Sequence, residues 1–240
     1  MARLETFLRD RSPLDQNQLR RIRELTSDWQ LLADLSFADL ILWVPLRKDF
    51  KSWPTGYVAV AHIRPTTAAT VFPQEVIGEE ISWGSRPRID QALSGAEIIR
   101  DAQPEKSGEL LIKEETIPVI LDEQVIAVIS RHRNAELMRQ PSRLELNYRE
   151  VAHNVFRMVA EGTFQYTEHS ELFDPAVRVG DGLIRLDING VITYASPNAK
   201  SAFNRMGLAG ELEGNNLGEV ARKVSLVKAD AHEEAIEVSL

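Results

Sequence analysis

No cysteine occurs among the 240 residues. Disulfides, thiolate nucleophiles and cysteine metal sites are excluded together, and nothing supports an oxidising compartment. Long apolar runs are missing too: no stretch approaches the roughly 20 residues that span a bilayer. The first residues, MARLETFLRDRS, carry charges inside their apolar pattern and no signal-peptide core. A cytoplasmic chain without membrane association is the expectation. Positive charge is also in short supply, with 28 Lys and Arg against 36 Asp and Glu and a net charge of −8. Nucleic-acid binding needs a concentrated basic surface. The best cluster, Arg20, Arg21 and Arg23, reads as a solvated helix face, so direct nucleic-acid contact is not expected.

Catalytic signatures are equally scarce. There is no GxSxG, no GxGxxG after a strand and no GxxxxGK[ST]. The five histidines show no metal-ligand spacing. His62 sits on a strand among apolar residues. His132 ends a strand beside two arginines and is expected to be exposed. His153 belongs to a solvated helix face. The acidic pairs Glu79-Glu80 and Glu114-Glu115 are adjacent in sequence and nothing singles them out. No catalytic residue, metal site or cofactor is expected in this segment.

What is present is pattern. Residues 3–11 suggest a short helix. A longer one is expected from Asp15 to Leu35, because Leu19, Ile22, Leu25, Trp29, Leu32 and Leu35 share a face. ADLILWVPL, ending at Pro45, reads as a central strand. YVAVAHI (57–63) is a second strand, hairpinned to the first. Pro87 to Leu93 forms a short helix with Pro in its first turn and Gly95 just past its end. Strands are expected at 109–113, 116–121 and 125–130, with Asp122-Glu123-Gln124 as a hairpin turn. The stretch 141–162 then reads as one helix, capped by Ser142 and closed by Gly162.

That helix carries two apolar strips. Leu144, Tyr148, Val151, Val155 and Val159 form one; Leu146, Ala152, Phe156 and Met158 form the other. One strip packs on its own domain and the other faces a second copy, with the first taken as the dimer seam; a single broad core face is the alternative. The sum is an α+β fold, an antiparallel sheet of about five strands with flanking helices. A weakly patterned linker follows. Then Leu183 to Leu186 and Val191 to Tyr194 flank Asn189-Gly190, a strong hairpin signal. Ser196-Pro197 opens a helix, and 217–227 and 231–236 read as helical. One hairpin with short helices leaves a sheet edge open and little core, so an incomplete domain is expected.

A binding pocket is more plausible than a catalytic centre. The loosely patterned region 64–95 is the candidate lid over the sheet. Its ligand candidates are Arg64, Thr66, Trp83 and Arg86, joined by His62 of the preceding strand. They could hold a planar or anionic molecule by stacking and charge-assisted hydrogen bonds.

Six stretches go further: WQLLADLSFAD (29–39), RPTTAATV (64–71), QVIAVISRH (124–132), RMVAEGTF (157–164), GDGLIRLDINGVITYASPNA (180–199) and NRMGLAGELEGNNL (204–217). They resemble the N-terminal half of soluble actinobacterial sensor histidine kinases of the PdtaS type. The resemblance implies a GAF-like domain at 1–162 ending in the long helix, a linker at 163–179 and the opening of a PAS domain at 180–240. It also implies a homodimer that binds an unidentified small molecule and relays its presence to a kinase core. That core would use ATP and Mg and phosphorylate a response regulator, in this family one with an ANTAR RNA-binding output domain. Its HHRVKNN-like phosphoacceptor motif and its ATP-binding boxes do not occur in these 240 residues; His132-Arg133-Asn134 echoes only three letters. A constitutive dimerisation scaffold without ligand is the alternative reading.

Overall fold

The computed structural model describes Leu8 and residues 11–100, 103–135, 140–164, 178–208 and 210–225. The chain separates into two compact units, Met1–Ala176 and Val177–Leu240. The helix predicted at 231–236, most of the one predicted at 3–11 and most of the predicted linker lie outside the described residues.

In the first unit the helix expected from Asp15 to Leu35 is two helices, α1 (Gln16–Ser27) and α2 (Trp29–Ser36). Asp15 and Gln18 close a reciprocal capping box at the start of α1. The break at Asp28 follows from composition: the Thr26 hydroxyl donates to the carbonyls of Ile22 and Arg23, and that of Ser27 to Glu24. Such side chains compete with the backbone ladder. The apolar face survives the break, since all six of its predicted residues are buried. α2 ends at Phe37, which takes a left-handed conformation (φ 51°) and stacks on Tyr148 at 6.4 Å.

Strand β1 (Asp39–Leu46) is central, paired with β2 (Gly56–Ile63) and β7 (Gln124–Asn134). Its continuous apolar run fits burial on both faces. The antiparallel sheet runs β3-β2-β1-β7-β6-β4, where β3 is Glu80–Ser82, β4 is Ile99–Arg100 and β6 is Leu110–Leu121; β5 (Glu105–Ser107) also pairs with β6. The two strands expected at 109–113 and 116–121 are thus one strand. Successive side chains of a strand point to opposite faces, so Glu114 and Glu115 each find arginines on a different face and leave the strand intact. The turn to β7 uses Asp122 (φ 49°) and Glu123 (φ 62°), the left-handed pair of a two-residue hairpin. α3 (Pro87–Gly95) includes Gly95, and its left-handed cap is Ala96 (φ 52°) instead.

The segment after β2 is pinned rather than loose. Asp34, buried, accepts from the Thr66 N–H (2.6 Å), the Thr66 hydroxyl (2.9 Å) and Gln30 (3.0 Å), and its carbonyl accepts from Thr67. Asp39 accepts from the Thr70 hydroxyl at 2.5 Å and the Val71 N–H at 2.8 Å. Asp34→Ala strips three donors of their acceptor and is expected to cost about 2–4 kcal/mol. Asp34→Asn keeps one acceptor oxygen and costs less; urea midpoints compare the two.

The last helix of this unit, α4 (Arg143–Ala160), begins at Ser142, whose hydroxyl accepts from the Glu145 N–H at 3.1 Å. It closes at Gly162 (φ 69°), after which the N–H groups of Thr163 and Phe164 reach the Met158 carbonyl. α4 packs on α2 and β6. The two predicted strips are not the ones the fold uses. Tyr148, Ala152, Phe156 and Val159, two from each strip, are buried in their own domain. Tyr148 and Val159 are therefore unavailable to a partner copy. Leu144, Val151 and Val155 are half-buried, while Leu146 and Met158 are exposed.

The second unit holds a 3-10 turn (Val179–Asp181), the hairpin β8 (Ile184–Leu186) and β9 (Ile192–Ala195), α5 (Pro197–Arg205) and a helical stretch at 217–225. The hairpin turn is longer than Asn189-Gly190: Asp187 accepts from the N–H groups of Asn189 and Val191, and Gly190 alone is left-handed (φ 77°). The far edge of β9 is partly covered, because Ile192 exchanges backbone bonds with Gly214 and Asn215. A small core of Ile192, Ala195, Ala199, Leu212 and Val220 forms there. This is more than the open hairpin expected from sequence.

Candidate functional site

The sheet face that α3 covers has two unlike ends. At one end Trp43, Tyr57, Ala59 and Val128 pack against Ile89, Ala92 and Leu93 of α3. Tyr57 donates its hydroxyl hydrogen to Asp90 at 2.8 Å; burial, then this bond, pushes the phenol far above its ordinary range.

At the other end the cross-strand register lines up ionisable groups. His132 pairs with Asp39 on β1 and with Glu114 on β6. One row further along, Ile41 lies opposite both His62 and Ser130, and Ser130 opposite Thr116. Asp39, His132 and Glu114 are 0%, 2% and 7% exposed, and the His62 side chain 1%. Burying such groups is expensive without a return in binding or fixed geometry. Their concentration marks this end as the candidate site.

The partners define its state. The Trp43 indole donates to the Ser130 hydroxyl oxygen at 2.8 Å, and that oxygen lies 2.9 Å from His132 Nε2. A buried hydroxyl needs an acceptor for its own hydrogen. Donation to Nε2 supplies one and places the imidazole proton on Nδ1. Burial pushes the His132 pKa down to about 3, with Arg86, His62 and Arg88 acting the same way. Burial, then Arg64, lowers His62, and Asp39 opposes this weakly. His62 Nε2 is 3.9 Å from Asp39 Oδ1 and has no hydrogen-bond partner among the described residues. The Phe72 ring stands edge-on to both imidazoles, 5.5 Å from His62 and 4.9 Å from His132. Among the described residues no three His, Asp or Glu side chains are placed to hold a metal ion.

Two cavities open beside this row. The smaller, about 260 Å³, has Phe72 and Ile112 as apolar walls, Arg86 and Lys106 as cations, and Glu105, Glu114 and His132 completing it. The larger, about 500 Å³, lies under the first turn of α3 and adds Arg88, Gln91, Ile99 and Arg100. Arg86, Glu105 and Glu114 line both. Arg88 is ion-paired to Glu105 and, at 3.4 Å, to Glu114; the Arg86 guanidinium stands 3.7 Å from Glu114.

Of the predicted ligand residues, the structure brings Arg86 to both cavities and His62 against Phe72. Arg64 donates to the Phe72 carbonyl at 3.2 Å. Thr66 serves to hold the loop on Asp34 and lines neither cavity. Trp83 stacks on Tyr57 and meets exposed Trp53 at a tilt of 55°, at the apolar end. Sequence reasoning missed Phe72, Glu114 and His132, the last of which is buried, not exposed. The available signal was alternation: Ser130 and His132 are two apart on one strand and share a face.

A route leads from this face to α4. Glu115, next to Glu114, pairs with Arg131 (2.5 Å) and Arg100 (2.6 Å). The Arg131 guanidinium lies over the Phe156 ring at 5.5 Å, and Arg100 is 3.4 Å from His153 Nδ1. Both ring contacts belong to α4.

The family model for the GAF domain of histidine kinase PdtaS matches residues 4–152. The sensor histidine kinase PdtaS of Mycobacterium tuberculosis is 36% identical over 237 residues, 97% of this chain and 46% of the relative. That of Mycolicibacterium smegmatis is 35% identical over 225 residues, 92% of this chain and 44% of the relative. A solved structure described as the sensor region of a sensor histidine kinase superposes with a TM-score of 0.73 at 38% identity, covering 92% of this chain and 74% of that one. The chain spans about half the length of the curated relatives it matches. No helix among the described residues is long and apolar enough to cross a membrane. On the length and identity of these matches, the chain belongs to the PdtaS family of sensor histidine kinases.

Proposed function

We propose that this chain is the sensory region of a two-component histidine kinase, holding a small-molecule signal at the polar end of the first unit's sheet and passing its presence through α4. One observation carries the reading. Consecutive residues of β6 serve both ends of the path: Glu114 walls the cavities, and Glu115 is tied through Arg131 and Arg100 to α4. A ligand that rearranges the arginines around Glu114 thereby shifts the strand on which α4 rests. It can bias α4 only by its differential affinity for the two arrangements. The second unit, with its hairpin and α5, serves in this reading as the opening of a PAS domain. The output is phosphotransfer from an ATP-dependent kinase core to a response regulator, with an ANTAR RNA-binding domain as the family's partner chemistry.

Relay through a homodimer uses the part of α4 that its own domain leaves uncovered. Leu144, Val151, Val155 and Met158 follow at steps of seven, four and three, a stripe suited to a paired helix. Val151→Asp with Val155→Asp is expected to convert a dimer to a monomer in sedimentation velocity while leaving the far-ultraviolet spectrum unchanged. A double variant that still sediments as a dimer removes α4 as the seam.

A further inference from the structure

We infer that the other face of the sheet, turned away from Glu114 and the two cavities, carries a site for a phosphate-type dianion between β6, β7 and the N-terminal half of α4. The strand register places its parts. Glu115 lies opposite Arg131, and Lys113 lies opposite Arg133. Residues two apart on a strand share a face, as do residues directly opposite across strands. All four therefore stand on one face. It is the face that α4 covers, because the Arg131 guanidinium lies over the Phe156 ring. Arg100 joins them through Glu115, and Arg149 of α4 stands close enough to work against the charge of Arg133. Lys113, Arg133 and Arg149 line neither cavity.

The charges on this face do not balance. Arg100, Lys113, Arg131, Arg133 and Arg149 meet only Glu115 and Glu145, and both carboxylates are engaged. Arg131 and Arg100 hold Glu115, and Arg149 holds Glu145. Lys113 and Arg133 are left as like charges directly opposite each other, which destabilises a sheet. Neither has an ion pair or a side-chain hydrogen bond among the described residues. Both are half-buried. Burial, then Arg149, works against the Arg133 charge, with Glu115 and Glu145 opposing. The Arg149 Nε is buried and also lacks a hydrogen-bond partner among the described residues. Such a cluster, in a chain of net charge −8, costs stability unless an anion joins it. A tetrahedral dianion matches what is unpaired. It cancels two charges, takes the Arg133 fork on two oxygens and Lys113 as a point charge, and leaves an oxygen for Arg149. A monocarboxylate brings half the charge and no third oxygen. Lys113 and Arg133 belong to the sheet and Arg149 to α4, so the bound anion fastens helix to sheet.

The test is titration calorimetry and urea unfolding of the 240-residue chain with inorganic phosphate, succinate or acetate, each against sodium chloride at equal ionic strength. Phosphate is expected to bind at millimolar concentration or below, with succinate and acetate at least tenfold weaker. Arg133→Gln should weaken phosphate at least tenfold, while Arg86→Gln, on the opposite face, should leave it unchanged. In chloride, Arg133→Gln and Lys113→Gln should each raise the urea midpoint, because each removes one of two opposed charges. An arginine that served only packing would lower it. Phosphate strengthens folding generally, so the specific part is the extra rise in midpoint that the parent shows over Arg133→Gln, by mass action on the folded state. No phosphate heat, or an equal rise in parent and variant, overturns the site. Succinate or acetate binding as tightly as phosphate overturns the ligand class. Binding that survives Arg133→Gln but falls with Arg86→Gln overturns the location. A lower midpoint for Arg133→Gln in both buffers overturns the unmatched charge from which the inference starts.

Discussion

Replacing Phe156 with alanine lowers the stability of the first unit by about 3–5 kcal/mol, the range for deleting a buried aromatic ring. Phe156 is 1% exposed, and with Tyr148, Ala152 and Val159 it forms the face by which α4 rests on α2 and β6. It also lies beneath the Arg131 guanidinium. Burial already works against that charge, and Glu115 opposes the effect. Removing the ring takes away about 0.5–2 kcal/mol of cation–π attraction as well. All four tryptophans, Trp29, Trp43, Trp53 and Trp83, fall in the first unit, so their fluorescence in urea reports that unit alone. The midpoint should fall sharply with little change in slope. Leu146→Ala, at a position 53% exposed, should stay within about 0.5 kcal/mol of the parent. A Phe156→Ala loss no larger than that of Leu146→Ala would mean that α4 is not seated where the structure puts it.

The two variants also show what periodicity can and cannot tell. Spacing identified α4, its Ser142 cap and its Gly162 close, because those are local signals within one turn of the chain. It did not identify which apolar strip faces inward. Strips at three- and four-residue steps are both acceptable to an isolated helix, and the choice is made by α2 and β6, which are remote in sequence. The break between α1 and α2 was hidden for the opposite reason. The apolar face continues across it without interruption, while Thr26 and Ser27 divert their hydroxyls to the last carbonyls.

The site was less legible than the fold, and one residue explains much of this. Counting back from the two-residue turn at Asp122-Glu123 puts Glu114 opposite Arg131 and Glu115 opposite Ser130. The pairing follows that count at Leu121 and Ile120, then shifts at Val119, which faces Ala127 rather than Ile126. A bulge of one residue changes every partner beyond it. Glu114 thereby meets His132, and Glu115 meets Arg131. The buried polar row and the tie to α4 are both products of that shift, and nothing in the local sequence announces it. Arg86 was legible because it lies beside the proline that opens α3. Thr66 drew notice as a polar lid residue, but the aspartate it serves, Asp34, is 32 positions earlier.

The same row makes stability depend on pH. In the folded unit His132 stays neutral down to about pH 3, whereas in the unfolded chain it takes up a proton near 6.5. Below 6.5 the unfolded state therefore binds more protons, and folding stability falls as pH falls. The slope approaches about 1.4 kcal/mol per pH unit, for a total on the order of 4 kcal/mol by pH 3. His62, lowered by its own burial, acts in the same direction. Carboxylates dominate below about pH 4.5, so the informative window is pH 6.5 to 5, where His132 should account for roughly 2 kcal/mol. His132→Asn has a lower starting stability, because the ring and its bond to Ser130 are lost, but should lose this part of the slope. Urea midpoints across the window separate the two effects, since only the slope reports titration. Direct titration of the imidazole by proton NMR is the independent check. An imidazole at position 132 that titrates near 6.5 in the folded protein would mean that it is in contact with water, and the buried row would not exist as described.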